Sequence, residues 1–191
     1  MTSYVHHRIT CAPRRWQAVA DHLARGAASL AGAGGALYGL WRSQIGRPRD
    51  EVTAITSWQQ PIDAADAETQ LRGLSADFEA VSSMAMAATL RPTQATPPER
   101  HGNYAFRWFV TPDRHWDEFL DLCAGAWPGF EAAYDSQVIG LWRCNGDQAG
   151  SDGAFPMPAA GKSDVVSLLL TRRPDLAMWE RSKIPQGASE T

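Results

Sequence analysis

The residues with the clearest potential for chemistry lie in YVHHRIT, residues 4–10. Tyrosine, valine, isoleucine and threonine favour strands, and successive strand residues point to opposite faces of a sheet. His6 and His7 therefore face opposite sides and cannot bind one metal ion together. A histidine buried in such a strand is either a binding group or part of an internal polar network, because an unpaired buried polar group costs about 1–3 kcal/mol.

A related segment begins at Tyr104 and keeps a constant spacing of 100 residues from the segment that begins at Tyr4. It places Arg107 at the position of His7, so this position is polar in both segments. Arginine offers a rigid fork of donors, and histidine titrates near neutral pH. We expect His7 and Arg107 to bind an anionic or carbonyl-bearing molecule, and the alternative is a polar network inside the protein.

The motif GLWR occurs twice, at residues 39–42 and 140–143. It places Trp41 and Trp142 at matching positions. An indole can stack on an aromatic ligand, and the alternative is that both rings are core residues. The candidate binding residues from the two segments and from this motif are His6, His7, Trp41, Arg107, Trp108 and Trp142.

The rest of the chain predicts two similar series of elements. The first series contains strand 4–10, a helix from about residue 13, strands 36–44 and 51–58, a helix over 62–74 and a strand over 79–91. The second series contains a strand from residue 104, a helix that includes Trp116, a long loop over 145–162, a strand over 164–172 and a short helix from residue 174. No fourth strand is predicted for the second series.

Strand, helix, strand, strand, helix, strand is the split βαβ order of ferredoxin-like domains. The predicted fold class is therefore α+β, with two tandem ferredoxin-like repeats whose antiparallel sheets pack against each other. We predict a first repeat over 1–92, a linker over 93–103, a second repeat over 104–184 and a flexible tail over 185–191. In this architecture strand 4–10 is central and covered on both faces.

Composition limits the classes of function. The chain has 191 residues, a formal net charge of −3 and no long run of Lys or Arg, which predicts no nucleic-acid or membrane partner. Cys11, Cys123 and Cys144 are odd in number and far apart, which favours reduced thiols in the cytoplasm. No histidine occurs at zinc-like spacing or in a haem motif, so we expect neither a metal ion nor another cofactor.

Three segments of the chain resemble parts of the NIPSNAP domain. The start of the domain is similar to YAFRWFVTPDRHWDEF, which begins at residue 104. Its hairpin is similar to LYGLWRSQIGRPRDEVTAITSW, which begins at residue 37. Its last residues are similar to TLRP, which ends at Pro92. Arg107 matches the arginine of the family's first strand, where the first segment has His7, and Gln44 replaces a usual Glu. The resemblance implies a dimeric α/β-barrel fold with tandem copies in one chain.

The same resemblance implies little about activity, because NIPSNAP domains have no established reaction. It does imply structural relatives that include small monooxygenases, which oxidise aromatic polyketides without a cofactor, and haem-binding enzymes. We expect the protein to bind a small molecule, aromatic or carboxylate-bearing, in a pocket between sheet and helices, with cofactor-free monooxygenase chemistry as one option. The alternative is a structural or interaction module that forms homo-oligomers through its barrel faces. No residue is predicted to be catalytic.

Overall fold

The computed structural model describes residues 2–75, 77–150 and 157–181. The predicted tail over 185–191 and part of the predicted loop over 145–162 lie outside these residues. The chain divides into two compact units. The first unit comprises Met1–Ala88, Thr93–Pro98 and Arg143–Met157, and the second unit comprises Thr89–Pro92, Glu99–Trp142 and Pro158–Thr191. The repeat boundaries that the sequence suggests, at residues 92 and 104, stay a prediction.

Residues 2–88 of the first unit form four strands and two α-helices in the order strand, helix, strand, strand, helix, strand. They are β1 (Ser3–Cys11), α1 (Trp16–Leu30), β2 (Gly35–Arg42), β3 (Glu51–Trp58), α2 (Ala64–Arg72) and β4 (Phe78–Ala88). The strand predicted over 51–58 has the observed bounds. The strands predicted over 36–44 and 79–91 end earlier, at Arg42 and Ala88.

Strand β1 lies inside the antiparallel sheet of the first unit. The strand order in this unit is β2-β3-β1-β4, and β1 pairs with both β3 and β4. His7 lies opposite Ala54 of β3 on one side and Ser83 of β4 on the other. The prediction of a central first strand is therefore confirmed, and both His6 and His7 are buried.

The two faces of β1 have different surroundings. Ile9 and Cys11 pack with Val19 and Leu23 of α1 in one buried cluster, so the odd-numbered residues of β1 face the helices. Helix α1 makes this contact because its apolar residues recur at helical spacing and form one buried stripe. The even-numbered residues of β1, which include His6, point to the opposite face.

The second unit contains β5 (Asn103–Pro112), α3 (Trp116–Tyr134), the first part of β6 (Gln137–Gly150), β7 (Asp164–Arg173) and α4 (Leu176–Arg181). The strand order in this unit is β6-β7-β5, and β5 pairs with β7 in antiparallel orientation. The register of β5 on β7 corresponds to that of β1 on β3. Tyr104 lies opposite Arg172, as Tyr4 lies opposite Ser57. Helix α4 is the last element that the structure describes.

The prediction of a loop over 145–162 is wrong at its start, because β6 continues to Gly150. The dipeptide Asn-Gly at residues 145 and 146 indicates a turn in the sequence. Gly146 instead has a φ of 78° within the strand, and a glycine of this kind permits a local bulge without ending the strand. Residues 157–163 form no strand, in agreement with the predicted loop.

The TLRP motif belongs to the core of the second unit. The Thr89 amide donates to the Leu141 carbonyl at 3.0 Å, and the Leu141 amide donates to the Arg91 carbonyl at 2.9 Å. The Arg91 guanidinium donates to Glu131 of α3 at 2.6 Å and lies 5.3 Å from the centre of the Trp127 ring. The motif therefore binds to both α3 and β6 of this unit.

The two GLWR motifs share one local geometry. A Cβ atom added at Gly39 would lie 2.3 Å from the Trp41 ring, and one added at Gly140 would lie 2.4 Å from the Trp142 ring. In each motif the tryptophan therefore lies over the glycine that precedes it by two residues, on the same face of the strand. Only glycine leaves room for the ring at this position.

We predict that Gly140→Ala destabilises the protein by about 1–3 kcal/mol, because the new methyl group overlaps a ring in a packed interior and Trp142 is fully buried. Gly39→Ala should cost less, because Trp41 is only half-buried. Gly125→Ala in α3 is the matched control, since its new Cβ has no neighbour within 4 Å, and it should stabilise by about 0.5–1 kcal/mol. Urea denaturation measures all three variants. An unchanged stability of Gly140→Ala would contradict the packing of Trp142.

Candidate functional site

His7 lies at the centre of a buried chain of hydrogen bonds in the first unit. Its Nδ1 atom is 2.8 Å from Ser83 Oγ of β4, and its Nε2 atom is 2.9 Å from Thr56 Oγ1 of β3. Thr56 Oγ1 also accepts from Trp58 Nε1 at 2.8 Å. Ser83 Oγ donates to Glu68 Oε2 of α2 at 3.1 Å. The chain of bonds therefore joins three strands to one helix.

The outer partners determine which ring nitrogen of His7 carries the proton. Because the Ser83 hydroxyl gives its only proton to Glu68, it accepts a hydrogen bond from His7 Nδ1. His7 Nε2 is then the acceptor for the Thr56 hydroxyl. Burial lowers the pKa of His7 to about 3, so the ring is neutral at pH 7.

The hydrogen-bond chain ends at an ion pair. Glu68 is buried, and its Oε1 atom accepts from Arg72 Nε at 2.9 Å, one helical turn away. Both ring nitrogens of His7 are therefore used inside the protein, and the carboxylate at the end of the chain has its own cation. This geometry agrees with the alternative of an internal polar network. Ligand binding by His7 stays a prediction, which requires one of these hydrogen bonds to break.

His6 points to the face of the sheet opposite the helices. It lies between Ile55 of β3 and Met84 of β4 and is 3% exposed. Burial, and after it the neighbouring charges that include Arg47 and Arg8, lowers the pKa of His6 well below its usual value. On the same face Arg8 forms an ion pair with the buried Glu51. His6 is thus a neutral imidazole beside a charged pair.

The candidate tryptophans occupy three different environments. Trp142 is fully buried, which is typical of a core residue, whereas Trp41 is half-buried. Trp108 of β5 is also half-buried and lies opposite Leu168 of β7. Whether any of these rings contacts a ligand stays a prediction.

Arg107 is exposed and lies on the side of β5 that faces helix α3 in the second unit. Arg107 lies two residues before Phe109 in β5, so the two side chains point to the same face of the strand. The Phe109 ring lies 5.4 Å from the ring of Phe119 in α3, and the Arg107 side chain therefore points to the α3 side. Within the part of the chain that the structure describes, Arg107 forms no ion pair. The same position in the first unit holds the fully buried His7.

Arg173 is a residue of this site that the sequence analysis missed. It is 2% exposed, its Nη1 atom donates to Thr171 Oγ1 at 2.9 Å, and its guanidinium lies 5.0 Å from the centre of the Phe130 ring. Burial, and after it the positive charge of Arg107, lowers the pKa of Arg173 to about 10. Arg173 therefore stays protonated at pH 7, and the two arginines are close enough to repel each other.

The strand registers show which residues of the first unit correspond to Thr171 and Arg173. Thr171 lies opposite Ala105, as Thr56 lies opposite Val5, and Arg173 falls at the position of Trp58. Trp58 donates to Thr56 as Arg173 donates to Thr171. The sequence does not show this correspondence, because it depends on the register of β7 on β5.

The positions around Trp58 in the first unit and Arg173 in the second unit also differ in residue type. In the first unit an apolar cluster contains Val5, Leu30, Trp58 and Ala67. An aspartate directly precedes each of the helices α2 and α4, and its carboxylate accepts a hydrogen bond from the amide three residues further on; these residues are Asp63 and Asp175. With this alignment, the corresponding positions of the second unit hold Ala105, Phe130, Arg173 and Trp179. An apolar cluster in one unit thus corresponds to a cationic and aromatic group in the other.

The cysteines offer no activated nucleophile. All three are free, and burial raises the pKa of Cys11 to about 11 and that of Cys144 to about 12. Burial also raises the pKa of Cys123. The thiols are therefore protonated at pH 7. Among the described residues, no group of three or more His, Cys, Asp or Glu side chains could hold a metal ion.

The sequence matches no protein-family model and no curated protein. The structure is similar to that of an anthrone oxidase-like protein, with a TM-score of 0.54 and 14% identity, over 99% of this chain and 80% of the other. It is also similar to a monooxygenase-like protein of Lactobacillus acidophilus NCFM, with a TM-score of 0.52 and 8% identity, over 97% and 82% of the two chains.

These neighbours are dimeric α/β-barrel proteins. The fold of this chain is therefore similar to that of dimeric α/β-barrel proteins. The predicted α+β class is confirmed, whereas membership of the superfamily stays a prediction, because at this level of identity the likeness concerns the fold alone. None of the helices in the described residues combines the length and apolar character that a membrane-spanning helix needs.

We predict that stability falls as the pH decreases from 7 to 5, because unfolded His7 takes up a proton near its ordinary pKa of about 6.5 whereas folded His7 has a pKa of about 3. This one group should contribute a loss of about 2 kcal/mol. His7→Gln should be less stable at pH 7 but lose about 2 kcal/mol less between the two pH values. The measurement is urea denaturation at pH 7 and pH 5.

The matched control is His101→Gln, since His101 is exposed and its removal should leave the pH dependence of stability unchanged. A parallel pH dependence for His7→Gln and the parent protein would show that His7 is not held neutral by the fold.

Proposed function

We propose that the protein binds a small anionic molecule, aromatic or carboxylate-bearing, in a pocket between the sheet and the helices of the second unit. In this proposal the chain consists of two tandem ferredoxin-like, NIPSNAP-like repeats. The two repeats have different tasks: the first is closed by the His7 hydrogen bonds, and the second binds the ligand. The reduced thiols favour a cytoplasmic location.

The observation that carries the proposal is the exposed Arg107 beside the buried Arg173, on the helix-facing side of β5 and β7. A guanidinium matches a carboxylate with two parallel hydrogen bonds. Arg107 forms no ion pair within the described residues and lies near a second cation, Arg173. Binding of an anion would therefore stabilise the Arg107 side chain. The aromatic rings of Phe109, Phe119 and Phe130 on the same side provide apolar surface for a ring.

Oxidation of the bound molecule without a cofactor is a second candidate function. It is favoured by the structural likeness to an anthrone oxidase-like protein, although a fold can serve many reactions. Oxygen uptake on addition of an aromatic compound that binds, with no cofactor added, would support this activity. Binding without oxygen uptake would limit the function to binding.

A structural or interaction module is the alternative from another class. In that case the arginines would only contact other parts of the protein or a second copy of the chain. The two proposals differ in their response to ligands, because a molecule that binds the folded state raises its stability by mass action.

We predict that benzoate raises the melting temperature by about 5–10 °C at a hundredfold excess over its Kd, whereas benzyl alcohol, which has the ring without the charge, does not. Arg107→Ala should abolish the effect of benzoate. Arg114→Ala, which removes another exposed arginine outside the proposed pocket, is the matched control and should keep the effect of benzoate. A flat response of the parent protein to benzoate and to other carboxylates would favour the interaction module.

A further inference from the structure

We propose that the protein self-associates through two oppositely charged surfaces, one in each unit of the chain. The basic surface is the connection between β2 and β3, residues 42–49, which we call the basic hairpin. The acidic surface is the start of α3, residues 117–122. In this proposal the basic hairpin of one copy binds to α3 of a second copy. The inference does not depend on the ligand proposed for Arg107.

Each surface contains an exposed apolar side chain. Ile45 and Leu122 are the two most exposed large apolar residues in the part of the chain that the structure describes, at 72% and 65%. A single exposed apolar residue is common and does not by itself indicate a partner. These two residues differ from the common case because Ile45 has arginines on both sides in sequence, whereas three acidic residues precede Leu122.

The basic hairpin contains three arginines and no acidic residue. Arg42 and Arg49 are exposed. The Arg42 Nε atom donates to the Arg49 carbonyl at 3.5 Å, and its guanidinium lies 4.0 Å from the centre of the Trp16 ring. Arg47 Nε lies 3.8 Å from Glu51 Oε1. Within the described ranges, no ion pair compensates the charges of Arg42 and Arg49.

Backbone hydrogen bonds hold the basic hairpin in one shape. The Ser43 amide donates to the Glu51 carbonyl, and the Glu51 amide donates to the Pro48 carbonyl, both at 3.3 Å. The acidic residue that follows the hairpin, Asp50, accepts a hydrogen bond from the Arg14 amide at 2.9 Å, so the fold itself uses this carboxylate. The hairpin is therefore ordered before a partner binds, which reduces the entropy lost on association.

The first two turns of α3 contain the acidic residues Asp117, Glu118 and Asp121. Negative charge in the first turn of a helix is stabilising through the helix dipole, and this accounts for Asp117 and Glu118 without a partner. Asp121 lies beyond the first turn. Glu118 Oε2 lies 3.2 Å from His115 Nδ1, whereas Asp117 and Asp121 are exposed and form no ion pair with any residue that the structure describes.

The exposed surface of α3 continues as an apolar strip after the acidic residues. Leu122 lies one turn after Glu118, and the exposed residues Gly125 and Ala126 lie one turn after Leu122. Their short side chains let a partner approach the helix with little loss of side-chain entropy. The helix therefore presents an apolar strip beside negative charge, and the basic hairpin presents Ile45 beside positive charge.

A second copy of the chain is the partner that fits these surfaces, because each copy carries both of them with opposite charges. Electrostatic complementarity of this kind determines which partner binds and how fast more than how tightly it binds. A net charge of only −3 leaves little overall repulsion between copies. Two copies can form the contact twice around a twofold axis, or several copies can form it in series, and both arrangements use the same residues.

The test is sedimentation velocity of the full chain over a series of protein concentrations. We expect the average mass to increase with protein concentration at low salt. The increase should be much smaller in about 1 M salt, where charges are screened beyond about 3 Å. The variant Ile45→Ser should also associate more weakly than the parent protein, because it removes the apolar side chain at the centre of the contact.

An exchange of charges identifies the two surfaces. Arg49→Glu and Asp121→Arg should each weaken self-association at least about tenfold, because each places like charges opposite each other. An equal mixture of the two variants should associate again, because every contact between them joins opposite charges. Both positions are exposed, so the variants should fold, and circular dichroism checks this. Arg25→Glu on the exposed side of α1 makes the same change in net charge outside both surfaces and should associate like the parent protein.

A parent protein that stays monomeric at every concentration would overturn the proposal. If that monomer binds poly-glutamate and Arg49→Glu does not, the basic hairpin serves an acidic partner protein instead of a second copy. Association that is as strong in Arg49→Glu and Asp121→Arg as in the parent protein would place the contact elsewhere on the molecule. A mixture of these two variants that associates no better than each variant alone would show that the two surfaces do not meet.

Discussion

One neutral imidazole stabilises the interior of the first unit. His7 is fully buried in the middle of the central strand, and such a residue is tolerated only because both ring nitrogens have partners. Those partners come from β3 and β4, and the second of them leads on to Glu68 of α2. The register of three strands and the position of a helix are therefore coupled to the proton position on one ring. Loss of any partner would leave a buried polar atom without a hydrogen bond.

The second unit has only some of the hydrogen-bond partners that His7 has in the first unit. It keeps the threonine, Thr171, and the register of the first strand on the third. The described residues of this unit include no strand that corresponds to β4 beside β5, so no side chain takes the place of Ser83. A histidine at residue 107 would lack its second partner there. An arginine at this position can extend into solvent, which explains why the first unit has a buried neutral residue and the second unit an exposed charged residue at the same position.

Much of the fold could be predicted from the sequence because it depends on local pattern. The helix of residues 16–30 follows from its apolar period, β3 from its β-branched residues, and the paired GLWR motifs from simple repetition. The burial of His6 and His7 followed from the topology. The continuation of β6 through Gly146 could not be predicted, because asparagine and glycine in sequence indicate a turn whereas the backbone adopts a bulge-like φ within the strand.

The candidate site was less predictable because its contacts join distant parts of the chain. Ser83 and Glu68 have no feature that marks them as partners of His7, and they lie far from it in sequence. Arg173 occurs at the end of a strand, where an arginine is usually solvent-exposed, and only the pairing of β7 with β5 reveals that it occupies the position of a core tryptophan. The likeness to dimeric α/β-barrel proteins concerns the fold alone, and anion binding by Arg107 is our proposal.

The division of tasks between a closed first unit and a ligand-binding second unit is tested most directly by one nuclear magnetic resonance experiment. The nitrogen–proton spectrum of the histidine rings and arginine side chains is recorded at pH 7 with and without benzoate. We expect a neutral His7 with its proton on Nδ1 and with signals that do not move, while the Nε–H signals of Arg107 and Arg173 shift on binding. A charged His7, or a ligand that shifts the His7 signals and leaves both arginines unchanged, would contradict this division.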